Sequence, residues 1–184
     1  IQRSGISGII VEDKKGLKKN SLFGINVKQE QESIKAFSKK IKIGKKISDP
    51  EFMIIARIES LILNKPISDA TKRANEYMAA GADAIMIHSR QKNPKEIFKF
   101  SNIFKKKFPK VPLVAVPSSY NSVKEADLIN NGFNIVIYAN HLLSFTDALT
   151  AAPRGTECTS FDITPRVSHR FERLCSRVRV QQSS

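Results

Sequence analysis

The feature that most constrains the fold is an alternation of short apolar runs with segments of helical periodicity. The apolar runs, each predicted to be a buried strand, cover residues 6–12, 52–58, 84–87, 111–116 and 133–138. The amphipathic segments between them cover residues 29–43, 68–80, 94–104 and 123–130, and a last helix is expected to begin at residue 140 or 141. Strands that are apolar throughout and separated by helices predict a parallel sheet covered by helices.

Several residues are expected to begin or end these helices. Ser68 is expected to cap the second helix, and Pro94 suits the first turn of the third. Gly44, Gly81 and Gly132 are expected to stop the helices that precede them.

Polar residues follow all five predicted strands. They are Glu12 and Asp13, Arg57 and Glu59, His88 and Ser89, Ser118 and Ser119, and Asn140 and His141. In a doubly wound sheet and in a barrel alike, ligands bind at the carboxyl ends of the strands. Five polar strand ends in succession therefore predict a binding site at this edge, whereas the periodicity leaves open which of the two architectures forms.

The first strand end is the most informative. Glu12 and Asp13 are followed by a loop in which four lysines surround Gly16, closed by Asn20 and Ser21. Carboxylates at a strand end can hold Mg²⁺, directly or through water, and lysines on a hinged loop can close over an anionic ligand. The charges alone favour the alternative of a solvated turn, because short motifs often match by chance.

The order of residues in this loop, Glu-Asp-Lys, five residues, then Asn-Ser, resembles the signature of phosphoenolpyruvate mutase in the isocitrate lyase and phosphoenolpyruvate mutase superfamily. Four further segments follow in the family's order, SGISG at 4–8, IARIE at 55–59, GADAIMIHS at 81–89 and YANH at 138–141. The resemblance begins at residue 1 and stops at about residue 143. The loop motif is specific to mutases, whereas the Gly-Ala-Asp-Ala segment and the Ala-Arg pattern are shared with lyases.

This resemblance implies a (β/α)₈ TIM barrel, of which the chain corresponds to strands four to eight. A complete barrel takes about 250 residues, so five of eight units need about 155. Strands one to three would carry the family's catalytic aspartate and its aspartate ligands to Mg²⁺, so no residue here is assigned those roles. The predicted division is a partial barrel over residues 1–150 and an unrelated tail over residues 151–184.

The resemblance also implies roles for single residues. Glu12 resembles the glutamate that reaches Mg²⁺ through water, with a structural partnership to a lysine as its alternative, and Asp13 is a weaker metal candidate beside it. Lys18 and Asn20 resemble catalytic residues of the loop that closes over the substrate, where Asn20 donates to the phosphoryl group.

Arg57 and His88 resemble the family's catalytic and substrate-binding residues at the next two strand ends. A guanidinium can bind carboxylate or phosphoryl oxygens in bidentate fashion, and an ion pair with Glu59 is the alternative. His88 would donate to pyruvyl or phosphoryl oxygens, whereas a lone histidine after an apolar strand is more often a satisfied core residue. Ser89 and Ser118 are further substrate-binding candidates, although turn and capping roles explain them nearly as well.

The implied activity is an Mg²⁺-dependent interconversion of phosphoenolpyruvate and phosphonopyruvate, an isomerase reaction of phosphonate biosynthesis. Such a transfer has to exclude water, which is a physical reason for a loop over the site. A phosphonopyruvate hydrolase is the nearest alternative. Residues 12–21 contain no cysteine, which argues against a lyase, because superfamily lyases normally carry a catalytic cysteine there. The truncated chain alone is expected to be inactive.

The charge of the chain supports a second, non-catalytic hypothesis. Lys and Arg number 31 against 17 acidic residues, and the net charge of +14 suits an anionic partner such as nucleic acid, an acidic membrane surface or a phosphorylated metabolite. Most lysines lie in helix-like segments, where a solvated face is favoured, and no aromatic and arginine pattern of a nucleic-acid module is present. A basic fragment that binds polyanions is therefore the minor alternative.

The last part of the chain differs in composition. All 21 lysines precede residue 151, whereas residues 151–184 hold six arginines and both cysteines, Cys158 and Cys175. The Pro, Ser and Thr content predicts disorder, and the cysteines with His169 make no recognised metal spacing. No apolar run is long enough to span a bilayer and Ile1 opens no signal peptide, so no membrane partner and a cytoplasmic location are predicted. The complete protein is expected to be a homo-oligomer.

Overall fold

The computed structural model describes residues 2–16 and 30–138, in which five strands form one parallel sheet. The strands are β1 (Gly8–Glu12), β2 (Met53–Ile58), β3 (Ala84–Ile87), β4 (Leu113–Ala115) and β5 (Ile135–Val136). Each strand pairs with the next one along the chain, so the spatial order is β1-β2-β3-β4-β5. A doubly wound sheet reverses its strand order at a switch point, whereas successive strands of a TIM barrel follow one another in this way.

Four helices connect these strands, and a short 3₁₀ turn at Gln2–Ser4 precedes the first strand. They are α1 (Ile34–Ile47), α2 (Ile67–Ala79), α3 (Lys95–Lys107) and α4 (Glu125–Asn130). α2 packs against both α1 and α3, so the three longer helices form one layer beside the sheet. No helix in the described residues has the length and apolar character needed to cross a membrane.

The expected helix stop at Gly44 was wrong, since α1 continues through this residue to Ile47. A Cβ at Gly44 would lie 2.7 Å from Cδ1 of Ile54, a side chain of β2. The glycine therefore permits a close contact between helix and sheet and does not end the helix.

The other helix boundaries agree more closely with expectation. Gly81 and Gly132 have φ angles of +99° and +83°, which favour glycine, and they follow α2 and α4 as predicted. Pro94 immediately precedes α3. The expected cap of α2 was wrong, because Pro66 occupies the N-cap position and Ser68 lies in the first turn.

The main core lies between the sheet and the helix layer. Its buried members include Ala56 and Ile58 of β2, Ile85 and Ile87 of β3, and aromatic side chains of the helices. Phe37 and Tyr77 join α1 to α2 with their ring centroids 4.7 Å apart.

A smaller apolar cluster covers the other face of the sheet, which is the inner face of a barrel. Met86, Val114 and Val116 form this cluster, and Ile55 and Ile135 pack against it. The residues that follow the strands on this face are therefore the ones that line the candidate site. The predicted tail, residues 151–184, lies outside the described residues.

Candidate active site

The strand register brings three predicted site residues to one edge of the sheet. Glu12 of β1 is the register partner of Arg57 of β2, and Arg57 is the partner of Met86 of β3. Side chains alternate along a strand, so Glu12 points away from the core that its neighbour Val11 contacts, and His88 follows Met86 on the same face. Glu12, Arg57 and His88 therefore meet on the inner face at the carboxyl ends of the strands.

Arg57 lies between two carboxylates. Its Nη1 is 2.9 Å from Oε1 of Glu12, and its Nε donates to Oε1 of Glu59 at 2.6 Å. The ion pair with Glu59 was the predicted alternative for Arg57. The ion pair between Arg57 and Glu12 was not predicted, and the alternative of a lysine partner for Glu12 stays a prediction. These two ion pairs engage Nη1 and Nε, and the side chain of Arg57 is 14% exposed, which leaves Nη2 as the nitrogen for a ligand.

His88 is 5% exposed, and its Nδ1 has no hydrogen-bond partner in the described part of the chain. Burial lowers the pKa of His88 to about 4, and the nearby positive charge of Arg57 lowers it further. The imidazole is therefore neutral near pH 7. His88 also has a hydrogen bond with the backbone of Val116, so the ring is satisfied in part and its Nδ1 is the atom left for a ligand.

Unpartnered polar atoms concentrate at the same edge of the sheet. In the described residues seven buried side-chain atoms lack a partner, and four of them follow β2, β3 or β4. These four are Oε2 of Glu59, Nδ1 of His88, Oγ of Ser118 and the phenolic oxygen of Tyr120. Each such atom costs roughly 1–3 kcal/mol when nothing satisfies it. Tyr120 belongs to the main core. The other three atoms follow consecutive strands at the edge of the candidate site, which is typical of a site that a polar ligand completes.

Asp13 lies apart from this group, although it follows Glu12 directly. Its buried Oδ2 accepts hydrogen bonds from the Tyr77 hydroxyl at 2.7 Å and from Nη1 of Arg73 at 3.2 Å. Oδ1 accepts from the backbone N–H of Glu59 at 2.9 Å, and Nε2 of Gln31 contacts both oxygens at 3.0 and 2.9 Å. Donors occupy both oxygens, so the geometry gives no support to a metal role for Asp13.

The same network closes the base of the loop that follows β1. The backbone N–H of Lys15 donates to the carbonyl of Glu30 at 2.8 Å, and that of Glu32 donates to Asp13 at 2.9 Å. Nη1 of Arg73 also donates to the carbonyl of Glu32 at 2.9 Å. The chain on either side of residues 17–29 is thus paired with itself and attached to α2.

Arg73 and Tyr77 were not among the predicted site residues. They lie one turn apart in α2, and Nε of Arg73 also donates to Asp69 at 2.9 Å. The signal in the sequence is an arginine among the buried positions Ala70, Ala74 and Tyr77, since a cation on an apolar helix face requires a buried acidic partner.

The remaining predicted residues divide into two groups. Ser89 donates its hydroxyl to Glu96 and accepts from the N–H of Gln91 at 3.0 Å, which is the turn role that the sequence left open. Lys18 and Asn20, like Asn140 and His141, lie outside the described residues, so their roles stay predictions.

The described residues contain no group of three His, Cys, Asp or Glu side chains that could hold a metal ion. Glu12 is the predicted metal-associated carboxylate on the inner face. A complete Mg²⁺ shell would therefore need ligands in addition to those described.

The chain matches the family described as phosphoenolpyruvate phosphomutase over residues 1–156. This match extends beyond residue 143, where the resemblance noted from the sequence ended. It is 42% identical over 145 residues to the phosphonopyruvate hydrolase of Variovorax sp. (strain Pal2), covering 77% of this chain and 48% of that protein. It is 38% identical over 142 residues to the phosphoenolpyruvate phosphomutase of Tetrahymena pyriformis, covering 77% of this chain and 46% of that protein. The chain thus spans about half the length of these curated relatives.

Solved structures agree on the fold. The phosphoenolpyruvate phosphomutase from Streptomyces platensis subsp. rosaceus superimposes with a TM-score of 0.72 at 36% identity, covering 81% of this chain and 51% of that one. A phosphonopyruvate hydrolase in complex with oxalate and Mg²⁺ superimposes with a TM-score of 0.68 at 38% identity, and the match covers 81% of this chain and 50% of that one. A 2,3-dimethylmalate lyase, described as a member of the PEP mutase/isocitrate lyase superfamily, superimposes with a TM-score of 0.66 at 18% identity. That match covers 80% of this chain and 48% of that one, and at this identity it shows likeness of fold alone. The predicted partial barrel is confirmed.

Proposed function

The chain belongs to the phosphoenolpyruvate phosphomutase family, and we propose that it carries part of the active site of an Mg²⁺-dependent mutase that interconverts phosphoenolpyruvate and phosphonopyruvate. The observation that carries the proposal is Arg57, held between Glu12 and Glu59, beside a neutral buried His88 with an unpartnered Nδ1. These groups supply N–H donors to a small anionic ligand, and the proposed Mg²⁺ and Lys18 would supply the positive charge that a ligand with two anionic ends requires.

Arg57 is the proposed anion-binding group. Phosphonopyruvate has a carboxylate and a phosphonate, and an N–H group of a guanidinium can donate a charge-assisted hydrogen bond to either of them. Glu12 and Glu59 already engage Nη1 and Nε, so the ligand would meet Nη2. The two carboxylates would thus hold the guanidinium in one orientation before the ligand binds.

His88 is the proposed donor to the developing enolate. When the bond between carbon and phosphorus breaks, its electron pair stays on the organic fragment as pyruvate enolate, and the enolate oxygen then forms the new bond to phosphorus. No proton is gained or lost overall. A neutral imidazole can donate one N–H to this oxygen, and with a pKa of about 4 its imidazolium form is scarce at neutral pH. That favours phosphoryl transfer over protonation of the enolate.

Lys18 and Asn20 are proposed to close over the phosphoryl group, on the strength of the loop motif. Exclusion of water would protect the activated phosphoryl group from hydrolysis. The paired base of the loop supports this proposal. The backbone N–H of Lys15 donates to the carbonyl of Glu30, which holds the two ends of residues 17–29 together beside the site.

Mg²⁺ is part of the proposal. Glu12 would reach the ion through water, and the direct ligands would come from a segment that corresponds to the other half of the relatives. When bound, such an ion neutralises negative charge on the transferring group.

Phosphonopyruvate hydrolysis is the second candidate function. The identity of 42% to the Variovorax hydrolase is no lower than that to the phosphomutases, and both activities begin from phosphonopyruvate. The two differ in whether water or the enolate oxygen receives the phosphoryl group.

The test supplies the other half of a barrel. The N-terminal half of the Tetrahymena phosphomutase is fused before Ile1, and the product formed from phosphonopyruvate is followed by ³¹P NMR with Mg²⁺ or EDTA. Phosphoenolpyruvate is expected, and its formation should stop with EDTA.

The other outcomes separate the alternatives. Inorganic phosphate together with pyruvate would identify the hydrolase. A folded fusion that forms neither product would refute both functions. Salt-sensitive binding of heparin without metal, in that case, would favour the polyanion-binding fragment.

A further inference from the structure

We infer that Glu59 is a positioning residue for Arg57, and that it orients the guanidinium so that Nη2 meets an anionic ligand. The inference rests on the proposed function, in which Arg57 binds the substrate. Glu59 itself is not proposed to touch the reacting atoms.

The contacts of Glu59 restrict the guanidinium on one side. Oε1 of Glu59 accepts from Nε of Arg57 at 2.6 Å, and Oε1 of Glu12 lies 2.9 Å from Nη1. The guanidinium is planar, so contacts to two of its nitrogens fix both its plane and its rotation about the side chain. The third nitrogen is then the one presented to a ligand.

Glu59 is itself fixed from the helix side of the sheet. Its backbone N–H donates to Oδ1 of Asp13 at 2.9 Å, and the backbone N–H of Asp13 donates to the carbonyl of Arg57 at 3.0 Å. Tyr77 and Arg73 of α2 hold the carboxylate of Asp13 in place. The buried network around Asp13 therefore sets the backbone from which both Glu59 and Arg57 project.

Stability alone does not account for Glu59. Two carboxylates surround one guanidinium, so Glu12 by itself could balance the charge of Arg57. Glu59 is 1% exposed, and its Oε2 has no hydrogen-bond partner in the described residues. A buried carboxylate with an unpartnered oxygen carries a desolvation cost. Removal of one partner of a buried ion pair normally destabilises a protein because it leaves a charge uncompensated, but Glu12 would still pair with Arg57 after Glu59 is replaced by an apolar residue.

The experiment compares two substitutions at Glu59 in the fusion of the N-terminal half of the Tetrahymena phosphomutase to this chain, because that half supplies the direct Mg²⁺ ligands of the proposed function. Glu59→Met keeps the length of the side chain and removes the acceptor, whereas the amide oxygen of Glu59→Gln can still accept from Nε of Arg57. Glu76→Met on the exposed face of α2 is the matched control. Oxalate binding in the presence of Mg²⁺ is measured by calorimetry, the Arg57 Nε–H signal by ¹⁵N NMR, and Tm by circular dichroism.

We expect Glu59→Met to weaken oxalate binding by about tenfold or more, as for loss of a hydrogen bond between charged groups. Its Arg57 Nε–H should lose protection from exchange, while its Tm stays equal or rises. Glu59→Gln should retain the protected signal and most of the affinity, and Glu76→Met should match the wild type.

Two results would overturn the inference. One is a Glu59→Met protein with unchanged affinity and a protected Nε–H. The other is loss of folding in Glu59→Met, which would make Glu59 a structural residue. If the wild type shows the protected Nε–H but does not bind oxalate with Mg²⁺, the proposed function fails and the orienting role of Glu59 stands.

Discussion

Tyr77 donates its hydroxyl to Oδ2 of Asp13 at 2.7 Å, and neither side chain is exposed to solvent. This contact joins α2 to the residue that follows β1. It places a charged group on the helix side of the sheet, opposite the site that Glu12 faces. Two carboxylates that are adjacent in the chain thus serve different parts of the protein.

Tyr77→Phe is expected to lower the free energy of unfolding by about 1.5–3 kcal/mol, because a buried carboxylate loses one of its donors. Urea denaturation measures the change. Tyr138→Phe is the control, since that phenol is 44% exposed and its hydrogen bond to Glu125 contributes little. Equal midpoints for Tyr77→Phe and the wild type would contradict a structural role for the Asp13 network.

His88 is expected to make the protein less stable as the pH falls from about 6.5 to about 4. In this range the unfolded chain binds a proton at His88 that the folded protein does not, so unfolding becomes more favourable. Over this pH range His88 lowers the free energy of unfolding by roughly 3 kcal/mol. Burial raises the pKa of Asp13 and of Glu59, so these carboxyls act in the opposite direction.

The contribution of His88 to the pH dependence is therefore measured as the difference in stability between the wild type and a variant that lacks the imidazole. Urea midpoints of the wild type and of His88→Gln are compared at several values between pH 7 and pH 4. The variant should lose less stability on acidification. Parallel pH profiles for the two proteins would show that His88 is not kept neutral by burial.

Asn20→Ala is expected to reduce kcat of the fused enzyme by about 10²–10³, which is typical for loss of one donor to a developing charge. This prediction rests on the loop motif. Turnover of phosphonopyruvate and Tm are measured together, and Asn102→Ala on the exposed face of α3 is the control. Unchanged turnover would remove Asn20 from the site, and a large fall in Tm would assign it a structural role.

Deletion of residues 157–184 is expected to leave Tm within experimental error. These residues lie beyond the family match, and their composition predicts little burial of apolar surface. A longer deletion, of residues 133–184, is the control and should lower Tm because it removes β5 and the buried Phe133. A large fall in Tm after the shorter deletion would show that this segment packs on the domain.

Much of the fold follows from local sequence. Apolar runs and helical spacing are properties of neighbouring residues, so they predicted five parallel strands, the intervening helices and the stops at Gly81 and Gly132. Gly44 has the same local signal but lies inside α1, because its role depends on Ile54 of another element. Strand order had to come from resemblance and structure, since periodicity does not distinguish a barrel from an open sheet.

The candidate site divides in the same way. Position after an apolar strand, together with the family motif, singled out Glu12, Arg57 and His88 from the sequence alone. The contact between Asp13 and Tyr77, which places Asp13 on the helix side, became known from the three-dimensional arrangement. The same arrangement showed that Arg57 lies between two carboxylates and that Nδ1 of His88 has no partner in the described residues. The reason is physical: local pattern determines which face a side chain occupies, whereas its partners depend on register and helix packing between residues far apart in the chain.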